Sequence, residues 1–507
     1  MRDIAGTEQG QSRANFLLSG PGVLVFWLCY GLIHAILRLN ISRTLAIDDA
    51  RATELTQNLA LGYQARQPPL YEWLLWSSQQ VFGTGIESDL FVRYLLITGI
   101  GVSCFGAARA AIKDDRWAAA ASLSLAFSYP VGWTFHEWAT QTILLCIGCF
   151  ATLHAALNWI EAPSLRAAFW LGAAIGLGLL SKFSFPLFLG GLLIACLTLP
   201  EARQKLADKR LFISAAVALL MLLPYIVWLW QVHGDVAHAI GRTMIPQPKP
   251  YLSRVMTGLA HLAKSIPLFL LPWIALVALL APSAFGFTKG TVAPPRLAER
   301  LVLRTMVAAA LLATIGIVAI GATNIAERYM HPILIVAPVY VFARIARYYT
   351  SRASMRPFVR LTLGVALAIA VVRVIAVADN GFTRRADRLS QIPFPELAER
   401  LAREGITRGT ALTLDVREAG NLRAFLPELR VIGRDSFRVE RPPKTAGSGD
   451  SCVLVYRSGQ ADLQEIAGYN PLATERLEIS GAPSRLGAPR REAWFMAKLD
   501  PNSAVCD

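Results

Sequence analysis

Long apolar runs dominate this chain and constrain its fold more than any other feature. About 20 consecutive apolar residues are enough to cross a bilayer as a helix, and the sequence contains many such runs. Because hydrocarbon offers a backbone no hydrogen-bonding partner, such runs are expected to be helices. Of all residues, 54% are hydrophobic and 17% charged, whereas soluble proteins carry about 25% charged residues. The sequence therefore predicts a mainly α-helical, polytopic membrane protein.

We predict about eleven membrane-spanning helices, with about 13 as the upper bound. Their expected ranges are 16–38, 90–112, 116–134, 140–160, 166–181, 183–199, 211–231, 263–281, 302–320, 332–349 and 357–378. The apolar stretch 70–82 is short, and we expect it to lie along the interface or to re-enter the membrane. The first run follows a polar start, so it is expected to be a retained helix rather than a cleaved signal peptide.

Lysine and arginine are concentrated in alternate loops, such as 203–210 and 344–360. The positive-inside rule places these loops in the cytosol and accounts for the net charge of +15 without nucleic-acid binding. The N-terminus is then cytoplasmic, and an odd number of spans puts the tail outside, although one missed span would reverse the tail. Two long loops, 39–89 and 232–262, lie on the outer side, where functional residues tend to be found.

The sequence changes character after residue 378. We predict a transmembrane domain over 1–378 and a small α/β domain outside the cytoplasm over 379–507. The tail alternates helix-like and strand-like segments: helices at 395–404, 417–426 and 460–467, and strands at 410–416, 451–457 and 493–499. Cys452 and Cys506 would be able to form a disulfide if the tail is outside the cytosol, but the sequence alone does not bring them together.

The first outer loop holds the densest group of candidate functional residues. Asp48 and Asp49 open a helix-like segment, and Tyr63 and Pro68-Pro69 follow it. An acidic pair at this position is explained by the attraction of negative charge to a helix N-terminus. The alternative is a carboxylate that faces a membrane-surface cavity as a base or a cation ligand. Because adjacent helical residues point about 100° apart, at most one of the two should face a substrate.

Three motifs, in this order and spacing, resemble those of the C-type glycosyltransferase superfamily. They are Asp48-Asp49-Ala50 with Leu61-Gly62-Tyr63 and Pro68-Pro69-Leu70, then Gly176 to Ser181-Lys182, and then Glu327-Arg328-Tyr329 to Pro332. They are most similar to the protein mannosyltransferase-like bacterial branch, which includes the aminoarabinose and galacturonic acid transferases of lipid A. The resemblance covers roughly residues 15–350, and the tail has no such match.

The resemblance implies an inverting transfer of a sugar from a polyprenyl-phosphate donor to an envelope acceptor, with lipid A or core glycolipid favoured. It implies a multi-pass protein of the bacterial inner membrane whose active site lies at the periplasmic face. The leaving phosphate requires fixed cations, and guanidinium groups suit bidentate contact with it. The candidates are Lys182, Arg66, Arg328 and Arg242. Lys182 is favoured, because a cation between two apolar runs is costly unless it has a function.

Asp48 is the carboxylate that matches the family's catalytic base. If the acceptor is a phosphate oxygen instead of a hydroxyl, no base is needed and Asp48 would orient the sugar. Asp49 is the second catalytic candidate, either for structure or for a divalent cation. Since no zinc-type spacing of Cys and His occurs, we assign no metal and no cofactor.

Candidate contacts to the acceptor or the sugar are Tyr63, His136, Glu137 and Gln141. Some relatives carry an Asp or a His in the outer turn before the fourth helix, and Gln141 occupies that position here. His136 or Glu137 would be the substitutes. The second polar partner of the site is therefore left open.

Three other functions were weighed against this one. A secondary transporter or lipid flippase would carry inverted repeats and midplane charges, and neither is visible in the sequence. A protein O-mannosyltransferase-like enzyme would use the same donor chemistry on a protein. A degenerate family member would act as a scaffold through its tail.

Overall fold

The structure is a computed structural model of the 507-residue chain. It describes residues 16–138, 140–244, 250–280, 294–323, 325–326, 329–348, 355–378, 392–434, 438–444, 451–457, 466, 468–480 and 491–506.

Helices account for the first three quarters of the chain. In order they are α1 (Gly20–Ile41), α2 (Ile47–Leu55), α3 (Leu70–Phe82), α4 (Ile86–Ile112), α5 (Asp115–Leu123), α6 (Phe135–Glu137), α7 (Thr140–Glu161), α8 (Leu165–Ser181), α9 (Phe185–Thr198), α10 (Pro200–Leu206), α11 (Leu211–Met244), α12 (Tyr251–Leu280), α13 (Leu297–Ile320), α14 (His331–Leu334), α15 (Ala337–Tyr348) and α16 (Arg356–Ala378).

Within the described residues, seven helices are long and apolar enough to cross a membrane: α1, α4, α7, α11 as far as Val232, α12, α13 and α16. Helices α9 and α10 meet that criterion only as a pair that bends by 112°, which raises the number to eight. Helix α8 is apolar, but its 17 residues make it too short to be counted among these helices. The prediction of a mainly helical, multi-pass membrane protein is confirmed, whereas the number of about eleven spans remains a prediction.

Two predicted spans are not single helices. The range 116–134 starts as α5, continues as a 3-10 turn over Ser124–Phe127 and a π-helical turn over Pro130–Thr134, and ends at α6. Pro130 lacks a backbone N–H, so the regular helix cannot continue unbroken through it. The range 332–349 is divided between α14 and α15. The residues at these breaks are mostly buried, so protein surrounds the non-helical backbone.

The second predicted outer loop, 232–262, is more helical than expected. Helix α11 bends at Val232 and continues to Met244, and α12 already begins at Tyr251. Both apolar helices therefore extend beyond the ranges that hydropathy assigned to them, because neither 232–244 nor 251–262 contains a proline.

Close helix packing fixes the end of α8 beside the start of α7. A Cβ on Gly148 in α7 would lie 2.8 Å from Cα of Gly178 in α8, so the two backbones touch. A Cβ on Gly178 would also lie 2.2 Å from the Phe185 ring. Small residues allow this close approach in membrane proteins. The antiparallel packing of α7 and α8 brings Lys182, which directly follows α8, to the first turn of α7.

The tail contains a five-stranded sheet with the order β2-β1-β3-β5-β4. Its elements are α17 (Phe394–Arg403), β1 (Gly409–Thr413), α18 (Val416–Phe425), β2 (Leu429–Gly433), β3 (Cys452–Arg457), β4 (Ala473–Ser480) and β5 (Arg491–Leu499). Strand β1 is parallel to β2 and β3, and β5 is antiparallel to β3 and β4. Separate hydrophobic clusters form around Phe394 and Trp494 and around Leu454 and Leu499.

Five of the predicted tail elements are present, and Cys452 and Cys506 form a disulfide. The sequence analysis missed β2 and β4. Strand β4 carries mostly exposed polar residues at the edge of the sheet, so it lacks the apolar run that identifies a buried strand. The predicted helix 460–467 lies outside the described residues except for residue 466. The domain boundary at 378 remains a prediction.

Candidate functional site

The acidic pair of the first outer loop points into two different environments. Asp49 is buried and forms an ion pair with Arg93 of α4. Asp48 keeps 22% of its side chain exposed, and its Oδ1 lies 3.3 Å from Nη1 of Arg51 on the same helix. This difference follows from the angle between adjacent helical positions. Asp48 is therefore the carboxylate that a substrate can reach, and its catalytic role remains a prediction.

Arg93 fixes the outer turn before α7 to the first outer loop. Its side chain is fully buried, and besides Asp49 it donates to the carbonyl oxygens of Phe135 at 2.5 Å and Trp138 at 3.4 Å. A buried ion pair is tolerated only when further hydrogen bonds satisfy its polar atoms. An arginine inside an apolar run is the sequence signal for such a residue. The guanidinium also stands where a divalent ion beside Asp49 would bind, which weakens that alternative.

Glu72 of α3 is a buried carboxyl group that the sequence analysis did not select. Its Oε1 accepts hydrogen bonds from Nε2 of Gln64 at 2.6 Å and from Nε2 of Gln141 at 3.0 Å. Its Oε2 is buried and accepts no hydrogen bond from any described residue. Burial raises the pKa of Glu72 from 4.5 to about 7, against the lowering effect of the two amides. The signal in the sequence was the single charged residue of the helix Leu70–Phe82.

Lys182 joins the same network through the first turn of α7. Its Nζ donates to Oγ1 of Thr142 at 2.7 Å, and Thr142 directly follows Gln141, which contacts Glu72. The candidate cation from the end of α8 is therefore linked to the first outer loop by two consecutive residues. Lys182 thus contacts the residue next to Gln141, and its role at a donor phosphate remains a prediction.

The remaining contacts of the outer turn are internal. Nε2 of His136 lies 2.9 Å from the Tyr30 hydroxyl, and Nδ1 lies 3.3 Å from the Tyr94 hydroxyl. The His136 ring is buried. Glu137 accepts a hydrogen bond from Arg373 at 3.1 Å. His136 is thus held within the helix bundle, whereas Glu137 keeps 37% of its side chain exposed. Gln141 is the candidate of this turn that contacts Glu72.

Tyr63 is buried beneath the tail rather than open to a cleft. Its hydroxyl accepts from the backbone N–H of Ala60 at 3.2 Å, and the guanidinium of Arg438 lies 5.9 Å from its ring centre. Burial raises the pKa of Tyr63 to about 12, so the hydroxyl stays neutral.

Of the other candidate cations, Arg66 is half-buried in a turn of the first outer loop. Arg328 and the side chain of Arg242 lie outside the described part of the chain. Across the ranges that the structure describes, no three His, Cys, Asp or Glu side chains come together as a metal site would require.

The tail is docked against α2, the helix that presents Asp48. The Gln57 side chain donates to the carbonyl oxygen of Val431 at 2.7 Å and accepts from its N–H at 2.9 Å. It thereby pairs with β2, the edge strand of the sheet. A Cβ on Gly420 of α18 would lie 1.8 Å from the carbonyl oxygen of Ala50. The tail therefore supports the helix that carries the predicted base.

Replacing Glu72 by Gln should change how stability depends on pH. Between pH 4.5 and about 7 the unfolded carboxyl is ionised while the folded one keeps its proton, so the free energy of unfolding falls as pH rises through this window. The loss amounts to about 3 kcal/mol. Glu72→Gln should remove this dependence and melt at a higher temperature than the wild type at pH 8. The measurement is the apparent melting temperature in detergent across pH.

The matched control for this variant is Glu87→Gln, which alters an exposed carboxylate paired with Arg43. It should keep the wild-type pH dependence. If Glu72→Gln and the wild type lose stability in parallel between pH 4.5 and 7, Glu72 is not the buried acid described here.

The chain is similar to several known proteins. Residues 66–228 match the model of the dolichyl-phosphate-mannose-protein mannosyltransferase family. The chain is 28% identical over 411 residues to the lipopolysaccharide core galacturonosyltransferase RgtB of Rhizobium johnstonii, covering 80% of this chain and 81% of the relative. It is 27% identical over 459 residues to the galacturonosyltransferase RgtA of the same organism, with 88% of each chain covered.

The fold is similar to that of ArnT from Cupriavidus metallidurans, solved bound to undecaprenyl phosphate. The TM-score is 0.60 at 14% identity, and the match covers 96% of this chain and 99% of ArnT. This likeness shows the shared fold. The chain is a membrane glycosyltransferase, and the family match, the relatives and the fold all fit a glycosyltransferase of the C-type superfamily.

Proposed function

We propose that this enzyme transfers a sugar from a polyprenyl-phosphate donor to a lipopolysaccharide acceptor, lipid A or core, at the periplasmic face of the inner membrane. The observation that carries the proposal is the part-buried network in which Thr142 binds Lys182 while its neighbour Gln141 binds Glu72 of the first outer loop. These contacts support a site in which a cation lies near the loop that bears Asp48. Such an arrangement suits a reaction in which an anionic leaving group departs while a hydroxyl attacks.

In the proposed reaction, the acceptor hydroxyl oxygen bonds to the anomeric carbon as the bond from that carbon to the phosphate oxygen breaks. Asp48 takes the proton of the hydroxyl. Lys182 stabilises the charge that develops on the polyprenyl phosphate, with Arg66 as a second cation from the first outer loop. Attack from the face opposite the leaving group inverts the configuration.

The relatives support the choice of acceptor and donor. RgtA and RgtB are named as lipopolysaccharide core galacturonosyltransferases, and ArnT was solved with undecaprenyl phosphate. The disulfide between Cys452 and Cys506 supports a periplasmic tail, because disulfides persist in oxidising compartments. A periplasmic tail agrees with a cytoplasmic N-terminus.

The test is mass spectrometry of envelope lipids from a deletion strain against the wild type. We expect one glycolipid to lose the mass of a single sugar, and complementation with the intact gene to restore it. Complementation with Lys182→Met should fail although the protein is present in the membrane, because the leaving phosphate loses its cation. An unchanged glycolipid profile in the deletion strain would contradict the proposal.

A protein acceptor is the second candidate, and the match to a protein mannosyltransferase family favours it. The same strains distinguish the two acceptors, since a protein acceptor predicts unchanged glycolipids and a lost glycoprotein. A transporter is no longer an alternative, because the chain is a glycosyltransferase.

A further inference from the structure

A cavity of about 370 Å³ lies where the tail sheet meets the first outer loop. Its lining includes Thr413 at the end of β1, Gly433 at the end of β2, and Arg434 directly after β2. In open sheets of parallel strands, ligands bind beyond the carboxyl ends of the strands. The volume falls within the usual range for small-molecule sites, so the cavity can hold a monosaccharide or a disaccharide.

Positive charge predominates around this cavity. Three arginines, Arg434, Arg438 and Arg441, line it against two carboxylates, Glu54 and Glu440. Arg434 and Arg441 are exposed at its rim. The balance favours an anionic ligand over a neutral or cationic one.

The hydrogen bonds of the lining arginines differ: those of Arg438 hold the tail in place, whereas those of Arg441 leave it able to bind a ligand. Arg438 donates to the carbonyl oxygens of Leu55 and Glu440, and it also contacts Asn58, so it holds the tail on α2. Arg441 donates to the carbonyl oxygens of Ala504 and Val505, each at 3.2 Å. Both partners are neutral carbonyl groups, so neither offsets the charge of Arg441. A guanidinium at a rim can bind a carboxylate or phosphate through two parallel hydrogen bonds.

The rest of the lining suits a sugar ring. Leu412, Ile432 and Tyr469 provide apolar and aromatic surface between the charged groups. Ligand sites usually combine such surface with a few placed polar groups.

The cavity also adjoins the first outer loop. Glu54 belongs to α2, the helix that begins beside Asp48. On the tail side, the N–H of Val439 donates to the carbonyl oxygen of Tyr63 at 3.0 Å. A glycan bound in this cavity would therefore lie against the loop that carries the predicted base.

We propose that this cavity binds an anionic sugar unit of the glycan acceptor, with its carboxylate or phosphate held by Arg434 and Arg441. The proposal rests on the proposed function for the identity of the ligand as part of an acceptor. In this proposal, the tail domain selects acceptors that carry a negative charge near the attacking hydroxyl.

The test is saturation-transfer NMR on the full-length protein in detergent, with galacturonate, galactose 1-phosphate and galactose as probes. We expect saturable binding of an anionic probe with a Kd of about 1–10 mM and no saturation by galactose. The double variant Arg434→Gln/Arg441→Gln should bind that probe about tenfold more weakly. Arg476→Gln is the control, because Arg476 is exposed on β4 and pairs with Glu478.

Galacturonate and galactose 1-phosphate distinguish a carboxylate ligand from a phosphate ligand. The proposal is overturned if neither saturates the protein, if galactose binds equally well, or if the double variant binds like the wild type. Transfer to envelope lipids is measured separately in the complemented strains. Loss of anion binding with transfer retained therefore refutes this inference alone, whereas unchanged envelope lipids refute the proposed function.

Discussion

Asp48→Asn should reduce the rate of sugar transfer about 10²- to 10⁴-fold, the range lost when a general base is removed. The variant should fold normally, because Asp48 is part-exposed and its ion pair with Arg51 lies within one helical turn and contributes at most about 1 kcal/mol. The measurement is the initial rate in lipid nanodiscs with a polyprenyl-phosphate sugar. We expect kcat to fall while the KM for the donor stays near that of the wild type.

The pattern of the loss is as informative as its size. If Asp48 orients the sugar instead of accepting a proton, Asp48→Asn should raise the KM for the donor more than it lowers kcat. If transfer continues within a few-fold of the wild-type rate, the catalytic assignment of Asp48 is wrong.

The largest effect on stability is expected from Arg93→Met. Removing this guanidinium leaves Asp49 buried without its counter-charge and deprives the carbonyl oxygens of Phe135 and Trp138 of a donor. Breaking a buried pair from one side costs about 3–5 kcal/mol. We expect a lower apparent melting temperature in detergent and less folded protein in the membrane.

Two further variants isolate the cause. Arg109→Gln on the same helix removes an exposed ion pair with Asp115 and should cost less than about 1 kcal/mol. Asp49→Asn combined with Arg93→Gln should recover part of the stability lost in Arg93→Met, because no buried charge remains. A melting temperature of Arg93→Met equal to that of Arg109→Gln would show that the buried pair contributes little.

The sequence predicted most of the helices because the bilayer leaves an apolar run few alternatives. It also selected the Asp48 loop and the Lys182 turn, through motifs whose residues are adjacent or nearly so. It failed where local pattern is weak. The broken segment after α5 and the polar edge strand β4 have no clear period, and hydropathy alone misassigned the former as one span.

Contacts between distant residues could not be read from the sequence. Glu72 became a site candidate only when Gln64 and Gln141 were seen to donate to one of its oxygens. The support of α2 by the tail depends on Gln57 and Val431, which are 374 positions apart. Neither hydrophobic periodicity nor secondary-structure propensity predicts such a pairing, because it arises from how whole elements pack.

By itself, the sequence determined that this protein is a helical membrane protein with an acidic pair in a polar outer loop, since both follow from local composition and helix geometry. Only the tertiary structure decided which carboxylate is reachable. Asp49 is buried against Arg93, whose helix begins 37 residues after Asp49, and Asp48 is left at the surface. Burial and counter-charge come from neighbours in space, so the two adjacent aspartates acquired different environments only once the chain was folded.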